Sequence, residues 1–221
     1  MAQSIRSTFD REMLEIQRKL RDIVNLVDQA IENSMQSLSK QDLVLAATVI
    51  ADDSKINQMR YEIEERCLTL IATQQPIAGD LRSIIAIMHS TVELERMGDH
   101  ASGIARTVIK ASDEKPLKPG KKLQQMAELS RAMLSDCIDA FESRDVTRAR
   151  EIASQDEIMD KLYKSLFERL IRVMSQNPRI ITRATYFMWC GHNLERIADR
   201  VTNLAEQIIF MNTGNLTELG N

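Results

Sequence analysis

The sequence predicts an all-α protein built from two tandem three-helix bundles. Its 221 residues include only 7 Gly and 4 Pro, with 43% hydrophobic, 28% charged and 4% aromatic residues, a composition that favours amphipathic helices over a β-sandwich or an α/β sheet. Apolar residues recur every three or four positions through long stretches, which is the spacing of one helical face. A motif repeated about one hundred residues later indicates an internal duplication. We therefore expect two similar halves, each large enough to bury a core.

Three helical patterns follow one another in the first half. An apolar stripe predicts one long helix over residues 4–39. Asp42 is a residue type that caps helix N-termini, and it precedes a second stripe that ends near Thr73. Pro76 is placed to supply the N-terminal residue of a third helix, which continues to about Ala111.

The second half repeats this order after a short linker. The stretch DEKPLKPG at 113–120 contains two prolines, a glycine and several charges, as linkers do. It is followed by a helix at about 121–143, a helix capped by Asp145 that runs to about Gln176, and a third helix that starts at Pro178. The predicted boundaries are a first bundle at 1–112, a linker at 113–120, a second bundle at 121–212 and a frayed tail at 213–221.

The third helix of each half carries acids within its apolar stripe. In the first half the stripe that passes through Met88 and Val92 continues to Glu95 and Asp99. Because these two acids are four residues apart, both carboxylates project from one helical face, about one turn from each other. The second half repeats the register with an identical spacing of acids, Glu195 and Asp199.

The second helix of each half also carries a polar pair at a spacing of four. Residues equally far before and after the turn of an antiparallel hairpin lie level with each other, so these pairs are expected to face the acids of the third helix. We call each such group an acidic seam. The first seam comprises Asp53, Asn57, Glu95 and Asp99, and the second seam comprises Asp156, Asp160, Glu195 and Asp199.

Carboxylates brought together in a helical bundle repel one another and are costly to remove from water unless a positive charge neutralises them. Oxygen ligands suit hard cations such as Fe³⁺, Mn²⁺ or Mg²⁺, and helical bundles hold di-iron centres between facing carboxylates. The usual di-iron spacing is Glu-x-x-His, which neither seam shows, so that class is an analogy. Asn57 offers a carbonyl oxygen but no charge, which predicts weaker metal binding by the first seam.

Two alternatives stand beside the metal hypothesis. The acids could form ion pairs with lysines or with arginines such as Arg82, Arg96 and Arg196, or they could lie on solvated faces. His192 falls one turn before Glu195 and is either an added metal ligand or a hydrogen-bonded core histidine.

Charge and motif content disfavour several classes of function. The net charge of -3 arises from 29 basic and 32 acidic residues that are well mixed, so no broad basic field for binding nucleic acid is expected. Cys67, Cys137 and Cys190 show no CxxC spacing, which argues against a disulfide framework or a thiolate zinc site. The chain has no P-loop, GxGxxG, nucleophile elbow or HExxH motif, and we do not expect an enzyme.

The N-terminus predicts a cytoplasmic protein. Its first residues, MAQSIRSTFDREML, are too charged for the apolar core of a signal peptide, and no run reaches the ~20 apolar residues of a membrane span. Any membrane association is expected to be peripheral and to occur through partners.

The motifs around the acids resemble those of the PhoU family, the phosphate-signalling accessory proteins of bacteria. The resemblance is carried by DLR at 80–82, LERMGDHASGIA at 94–105, LERIADRVTNLAE at 194–206 and the proline that opens each third helix. It extends over essentially the whole chain. It implies two three-helix bundles packed side by side, with E(D)xxxD motifs that bind metal ions as iron or zinc clusters; Mg and Mn are further candidates.

The resemblance also implies a function. Such proteins repress the phosphate-starvation response by coupling the ATPase subunit of the phosphate ABC transporter to a membrane-bound sensor histidine kinase, and we expect a homodimer. The motif carries over to Glu95, Asp99, Glu195 and Asp199, with Asp156 and Asp160 as companions. Asn57 in place of an acid, and Arg200 where the first half has His100, are departures. The competing hypothesis is a metal-dependent carboxylate-bundle enzyme or a metal store.

Overall fold

The computed structural model describes residues 2–113 and 120–219, with side chains from residue 6 onward. Within these ranges the chain is helical and contains no strand, which confirms the all-α fold. The helices are α1 Ala2–Lys40, α2 Leu43–Gln74, α3 Ala78–Lys110, α4 Lys121–Ser143, α5 Val146–Ser154, α6 Asp156–Gln176 and α7 Ile181–Thr213, with a 3₁₀ turn at Pro178–Ile180 before α7.

Both predicted aspartate caps are confirmed. The Asp42 carboxylate accepts a hydrogen bond of 2.9 Å from the backbone N–H of Leu45, and the Asp145 carboxylate accepts one of 3.0 Å from that of Arg148. Each bond satisfies one of the donors that a helix N-terminus leaves without an intrahelical partner. The second helical segment of each half therefore starts at the residue that the sequence indicated.

The start of the third helix differs from the prediction in the first half. Gln75 adopts a left-handed conformation with φ 47° and donates its N–H to the Ile71 carbonyl, which closes α2. Pro76 therefore belongs to the turn, and α3 begins at Ala78 rather than at the proline. In the second half Pro178 does open a helical turn, the 3₁₀ segment that leads into α7.

The helix predicted from Asp145 to Gln176 is interrupted. At Gln155 the backbone changes to i→i+3 hydrogen bonding, with its N–H bonded to Ile152 and its carbonyl accepting from Ile158. This tighter turn separates α5 from α6, whereas α2 is continuous at the equivalent position. As a result Asp156 occupies the first turn of a helix.

The two halves pack against each other through α3 and α7, the most extensively packed pair of helices. Glu93 of α3 contacts Arg200 and Asn203 of α7, and the residue one hundred positions later, Asn193, contacts His100 of α3 at 3.0 Å. Asn193 and His100 are the counterparts of Glu93 and Arg200 at an offset of one hundred residues, so the same two positions are in contact twice, with the roles of α3 and α7 exchanged. The internal duplication is therefore expressed as a pseudo-two-fold relationship between the halves.

A second contact between the halves joins α1 to α4, and in it each helix contributes an arginine that pairs with acids of the other helix. Arg131 of α4 donates to both carboxylate oxygens of Asp28 at 2.7 and 2.8 Å. Arg21 of α1 donates to Asp139 and Glu142 near the other end of α4. Bidentate arginine–carboxylate pairs fix orientation as well as distance, so α1 and α4 are held antiparallel.

The C-terminal segment folds back onto the bundle within the described part. After α7, Gly214 adopts φ 78° and reverses the chain, and the N–H of Leu219 donates to Glu206 Oε1 at 2.8 Å. Most of the predicted linker, residues 114–119, and residues 220–221 lie outside the described residues. No helix in the described ranges combines the length and the apolar character that crossing a membrane requires.

Candidate metal centres at the acidic seams

Close approach of α2 and α3 positions the first seam. A Cβ placed on Gly98 would lie 2.8 Å from Ile56 Cδ1 and 3.5 Å from Asp53 Oδ1. A methyl group here would press on the end of the Ile56 side chain, so the glycine favours the close approach of the two helices. The Asp53 carboxylate therefore reaches across to α3 between Glu95 and Asp99, at the level that the hairpin register predicts.

The acids of the first seam influence one another. Burial raises the pKa of Asp53, the charges of Asp99 and Glu95 raise it further, and Arg106 opposes them. The Asn57 side chain is half-buried and makes none of the side-chain hydrogen bonds or ion pairs found in the described part of the chain. The charges of Asp99 and Glu95 thus act on Asp53, and the Asn57 side chain forms no hydrogen bond with any of them.

An arginine that the sequence analysis did not single out enters the first seam. Arg60 Nη1 lies 3.4 Å from Glu95 Oε1, while its Nε donates to Glu64 Oε1 at 2.8 Å. Its guanidinium carbon also lies 5.3 Å from the centroid of the Tyr61 ring. All three charged side chains are 20–23% exposed, so the ion pair is largely shielded from water.

The second seam concentrates negative charge at Asp156. The pKa of this carboxyl is raised to about 6, most strongly by burial and then by the charges of Asp199, Asp160 and Glu195 in that order. One oxygen, Asp156 Oδ1, is buried and has no hydrogen-bonding partner within the described part of the chain. A carboxylate oxygen in this condition is costly unless it is protonated or meets a cation.

Two residues of α7 partly screen the remaining acids of the second seam. His192 Nδ1 lies 3.1 Å from Glu195 Oε2, and Arg196 donates to Asp199 at 2.9 Å one turn further on. Burial nevertheless raises the pKa of Glu195, although the hydrogen bond from His192 acts in the opposite direction. The His192 side chain is 49% exposed, so it is hydrogen-bonded but it is not a core residue.

Only some of the ion pairs that the ion-pair alternative requires are present. Arg196 pairs with Asp199 as that alternative requires, whereas Arg96 pairs with Glu93 at 3.2 Å, outside both seams. The Arg82 side chain lies beside Gly214 at the end of α7. Arginines therefore neutralise one acid in each seam and leave the others without an arginine or lysine salt bridge in the described part of the chain.

The donor atoms of the seams suit a metal ion better than their arrangement does. They are carboxylate oxygens, with an imidazole nitrogen beside the second seam, and these are ligands of Fe, Mn and Zn. Among the described residues, however, no three His, Cys, Asp or Glu side chains converge tightly enough to hold a metal ion. Binding would require side chains to rotate inward, which is easiest for exposed groups such as Asp99 and Asp160.

Comparison of the halves could have revealed Arg60 from the sequence. It follows Asn57 by three residues on the same helical face, and its counterpart 103 positions later is Tyr163. The Glu64 position likewise becomes Phe167, and the two rings lie 6.4 Å apart. A charged pair in the first half is therefore replaced by an aromatic pair in the second.

The chain also has a groove elsewhere, between α1 and α4, with a volume of about 570 Å³. Its walls include Gln36, Gln124 and Arg131, and none of the eight predicted seam residues lines it. The candidate metal centres are therefore sites on helix faces and do not belong to this groove.

A family model described as the PhoU domain matches the chain twice, over residues 20–108 and 123–208. The chain is 37% identical over 211 residues to a phosphate-specific transport system accessory protein PhoU homolog of Rhizobium meliloti, covering 95% of this chain and 89% of that protein. It is 34% identical to the homolog of Streptococcus pneumoniae serotype 4, covering 97% and 100%.

Solved structures show the same fold. The crystal structure of the phosphate transport system regulatory protein PhoU from Streptococcus pneumoniae superimposes with a TM-score of 0.88 at 33% identity, covering 95% of this chain and 99% of that one. The structure of PhoU from Pseudomonas aeruginosa gives a TM-score of 0.88 at 32% identity, covering 94% and 100%.

Proposed function

The chain belongs to the PhoU family of phosphate transport accessory proteins, and from that membership we propose that it represses the phosphate-starvation response when phosphate is plentiful. It acts by coupling the phosphate ABC transporter to a sensor histidine kinase. The observation that carries the proposal is the match of both halves to the PhoU domain, with 37% identity to an accessory protein over 95% of the chain.

The proposed partners are the ATPase subunit of the transporter and the kinase, and the proposed location is the cytoplasm. The names of the relatives support the first partner, because they describe accessory proteins of a phosphate-specific transport system. The pneumococcal relative of known structure is called a phosphate transport system regulatory protein, and this supports a regulatory role. A homodimer is part of the proposal.

Regulation rather than catalysis is the better-supported activity. The relatives are named as accessory or regulatory proteins. The alternative is a carboxylate-bundle enzyme or a metal store whose site would lie at the acidic seams. The second seam carries His192-x-x-Glu195, which is the reverse of the Glu-x-x-His order of di-iron bundles and does not match that class.

Metal binding is proposed as a structural contribution to this regulator. In the second seam Asp156, Asp160, Glu195 and Asp199 would hold the ion, which would supply positive charge to a group of carboxylates. The support is the buried, unpartnered Asp156 Oδ1 among the described residues and the raised pKa values of Asp156 and Glu195. Iron and zinc are the proposed metals, with manganese and magnesium as further candidates.

The regulatory proposal is tested in a strain from which the gene has been deleted. We expect alkaline phosphatase activity to rise in phosphate-rich medium and to fall again when the gene is supplied on a plasmid. The matched control is the same plasmid without a start codon. Repression that persists in the deletion strain, when no other member of the family is present, would contradict the proposed function.

A further inference from the structure

The hairpin formed by α6 and α7 extends beyond the helix that packs beside it. In the first half α1 has 39 residues and reaches the end of the hairpin, where Arg6 pairs with Asp80 in the first turn of α3. In the second half α4 has only 23 residues, and its start lies level with the middle of α6, since Lys122 donates to Ser165. The end of the second hairpin therefore projects past α4, and we call residues 169–184 the hairpin tip.

The hairpin tip is basic, unlike its counterpart in the first half. Residues 169–194 contain four arginines and no Asp or Glu, whereas the equivalent residues 66–94 contain two arginines and two acids. The four arginines are Arg169, Arg172, Arg179 and Arg183. Subtracting their charge from the net charge of -3 leaves -7 on the rest of the chain. Positive charge is thus concentrated at one end of an otherwise acidic molecule.

Most of this charge is exposed and unpaired. Arg169, Arg172 and Arg179 are exposed, and none of them forms an ion pair with any residue that the structure describes. The arginines that join α1 to α4 behave differently, because Arg21 and Arg131 are both held by acids. The tip arginines therefore keep their charge available to a partner outside the chain.

Apolar side chains are exposed among these arginines. Ile171 and Ile181 are each 47% exposed, and each lies within two residues of an arginine of the tip. Counted from the turn at Asn177, the helical rise places both within about 10 Å of the end of the hairpin. An arginine can lay its apolar stem beside such side chains and extend its charged head past them. The tip therefore presents apolar groups and positive charge together.

This combination matches the surface of an anionic bilayer. The negative surface potential of anionic lipids attracts arginines, and exposed isoleucines can enter the boundary between headgroups and acyl chains. A free phosphate ion would account for the arginines but would give Ile171 and Ile181 nothing to contact. A bilayer is also broad and deformable, so a projecting tip can meet it without a complementary groove.

We propose that the hairpin tip docks the protein directly on membranes that contain anionic lipid. Arg172 and Arg179 contact the lipid phosphates, and Ile171 and Ile181 lie among the headgroups. The rest of the chain carries net negative charge and is repelled by the same surface, so contact is confined to the tip. This goes beyond the proposed function, in which the protein meets the membrane only through its partners.

The test is co-sedimentation of the full chain with vesicles of phosphatidylglycerol and phosphatidylcholine, compared with phosphatidylcholine alone. Each basic residue at an anionic surface contributes about fivefold in affinity. We therefore expect Arg172→Gln combined with Arg179→Gln to weaken binding by at least about tenfold. The matched control is Arg11→Gln combined with Lys55→Gln, which removes the same charge from exposed positions outside the tip and should change binding by less than about twofold.

Equal weakening in the two double variants would overturn the inference, because net charge and not the tip would then govern binding. Equal binding of the wild type to neutral and anionic vesicles would also overturn it. Rising sodium chloride should release the wild type, since salt screens the attraction between exposed charges. Insensitivity to salt would contradict the role of the arginines.

The apolar contact is tested separately. Ile171→Ser combined with Ile181→Ser keeps all four arginines and should weaken binding by about tenfold, with circular dichroism as the check on folding. A second measurement uses Trp189, the single tryptophan, which lies about 12 Å along α7 from Ile181. Brominated lipid should quench a tryptophan introduced by Ile181→Trp in a Trp189→Phe background more strongly than it quenches native Trp189. Stronger quenching of Trp189 would overturn docking through the tip.

Two further outcomes would identify a different occupant. Release from vesicles by inorganic phosphate, beyond that caused by sodium chloride of equal ionic strength, would indicate a site for free phosphate and overturn membrane docking. Failure of the wild type to bind anionic vesicles would also overturn it and would favour an acidic protein surface at the tip. Neither result bears on repression of the phosphate-starvation response, which the deletion strain measures.

Discussion

The carboxylate of Glu93 in α3 accepts a hydrogen bond from Arg200 in α7, with 3.2 Å between Oε2 and Nη1. The same oxygen accepts a second bond of 2.9 Å from Asn203, and the Glu93 side chain is only 14% exposed. The pseudo-symmetric position, Asn193, makes a neutral contact with His100 instead. One charged cluster and one neutral contact therefore join the two halves across α3 and α7.

Replacing Glu93 by alanine should destabilise the protein by about 2 kcal/mol. Arg200 would keep its charge in a mostly buried position without this partner, and the loss of a charged hydrogen-bond partner in such a place costs more than the bond itself contributes. Urea unfolding followed by circular dichroism measures the change. Glu15→Ala is the matched control, because Glu15 forms an exposed pair with Arg18, and should change the free energy of unfolding by less than about 0.5 kcal/mol.

Gly191→Ala should destabilise the second hairpin. A Cβ at this position would lie 2.6 Å from Leu166 Cδ2, and Leu166 is buried at 3% exposure, so α6 and α7 would have to separate or repack at a cost of about 1–3 kcal/mol. Gly79→Ala in α3 is the control, since its nearest neighbour is 3.9 Å away and alanine favours the helix. Equal melting temperatures for the two variants would contradict the close approach of α6 and α7.

The helices could be predicted because their signals are local. Apolar spacing and the Asp42 and Asp145 caps depend on neighbours within a few residues, and the structure confirms them. Helix interruption was harder to predict. At the offset of 103 residues Ser154 and Gln155 replace Ala51 and Asp52 of α2. The Ser154 hydroxyl donates to the Glu151 carbonyl, and only the second half changes to a tighter turn.

The candidate site could be predicted only in its placement. The hairpin register brings Asp53 to the level of Gly98 as expected, because the rise per residue of a helix is constant. The neutralising contacts could not be found from spacing, because the flexible Arg60 side chain contacts both Glu64 on its own helix and Glu95 on α3. The second of these contacts depends on how the two helices pack. Contacts between the halves, such as Glu93 with Arg200, depend on tertiary packing and have no local signal.

Asp156→Asn should stabilise the metal-free protein in a pH-dependent manner. The pKa of Asp156 is raised to about 6 in the folded chain, against an unfolded value of about 3.9. Between these values the folded state binds the proton and the unfolded state does not, so the stability contributed by this group falls as pH rises through the window. Above about pH 6 the asparagine variant should be more stable by about 1 kcal/mol, a value reduced for solvent screening.

The stabilities of the wild type and of Asp156→Asn should become equal in acid. Below about pH 3 Asp156 is protonated in both states, and the wild type and the variant should unfold at similar urea concentrations. The measurement is a series of urea titrations in EDTA from about pH 3 to about pH 8, a range that brackets both pKa values. A stability difference that stays constant over this range would contradict the raised pKa.

Chelation should lower the melting temperature of protein purified with its metal. An ion present at about 100 times its dissociation constant stabilises the folded state by about 2.7 kcal/mol, which corresponds to roughly 5–10 °C for a chain of this size. Glu195→Gln and Asp199→Asn should each reduce the effect of EDTA, because they weaken metal binding and relieve repulsion among the acids of the metal-free state. Asp53→Asn is the matched control and should respond to EDTA as the wild type does. If arginine pairs alone neutralise the acids, EDTA will leave the wild-type melting curve unchanged, and Asp199→Asn will destabilise the protein by removing the partner of Arg196.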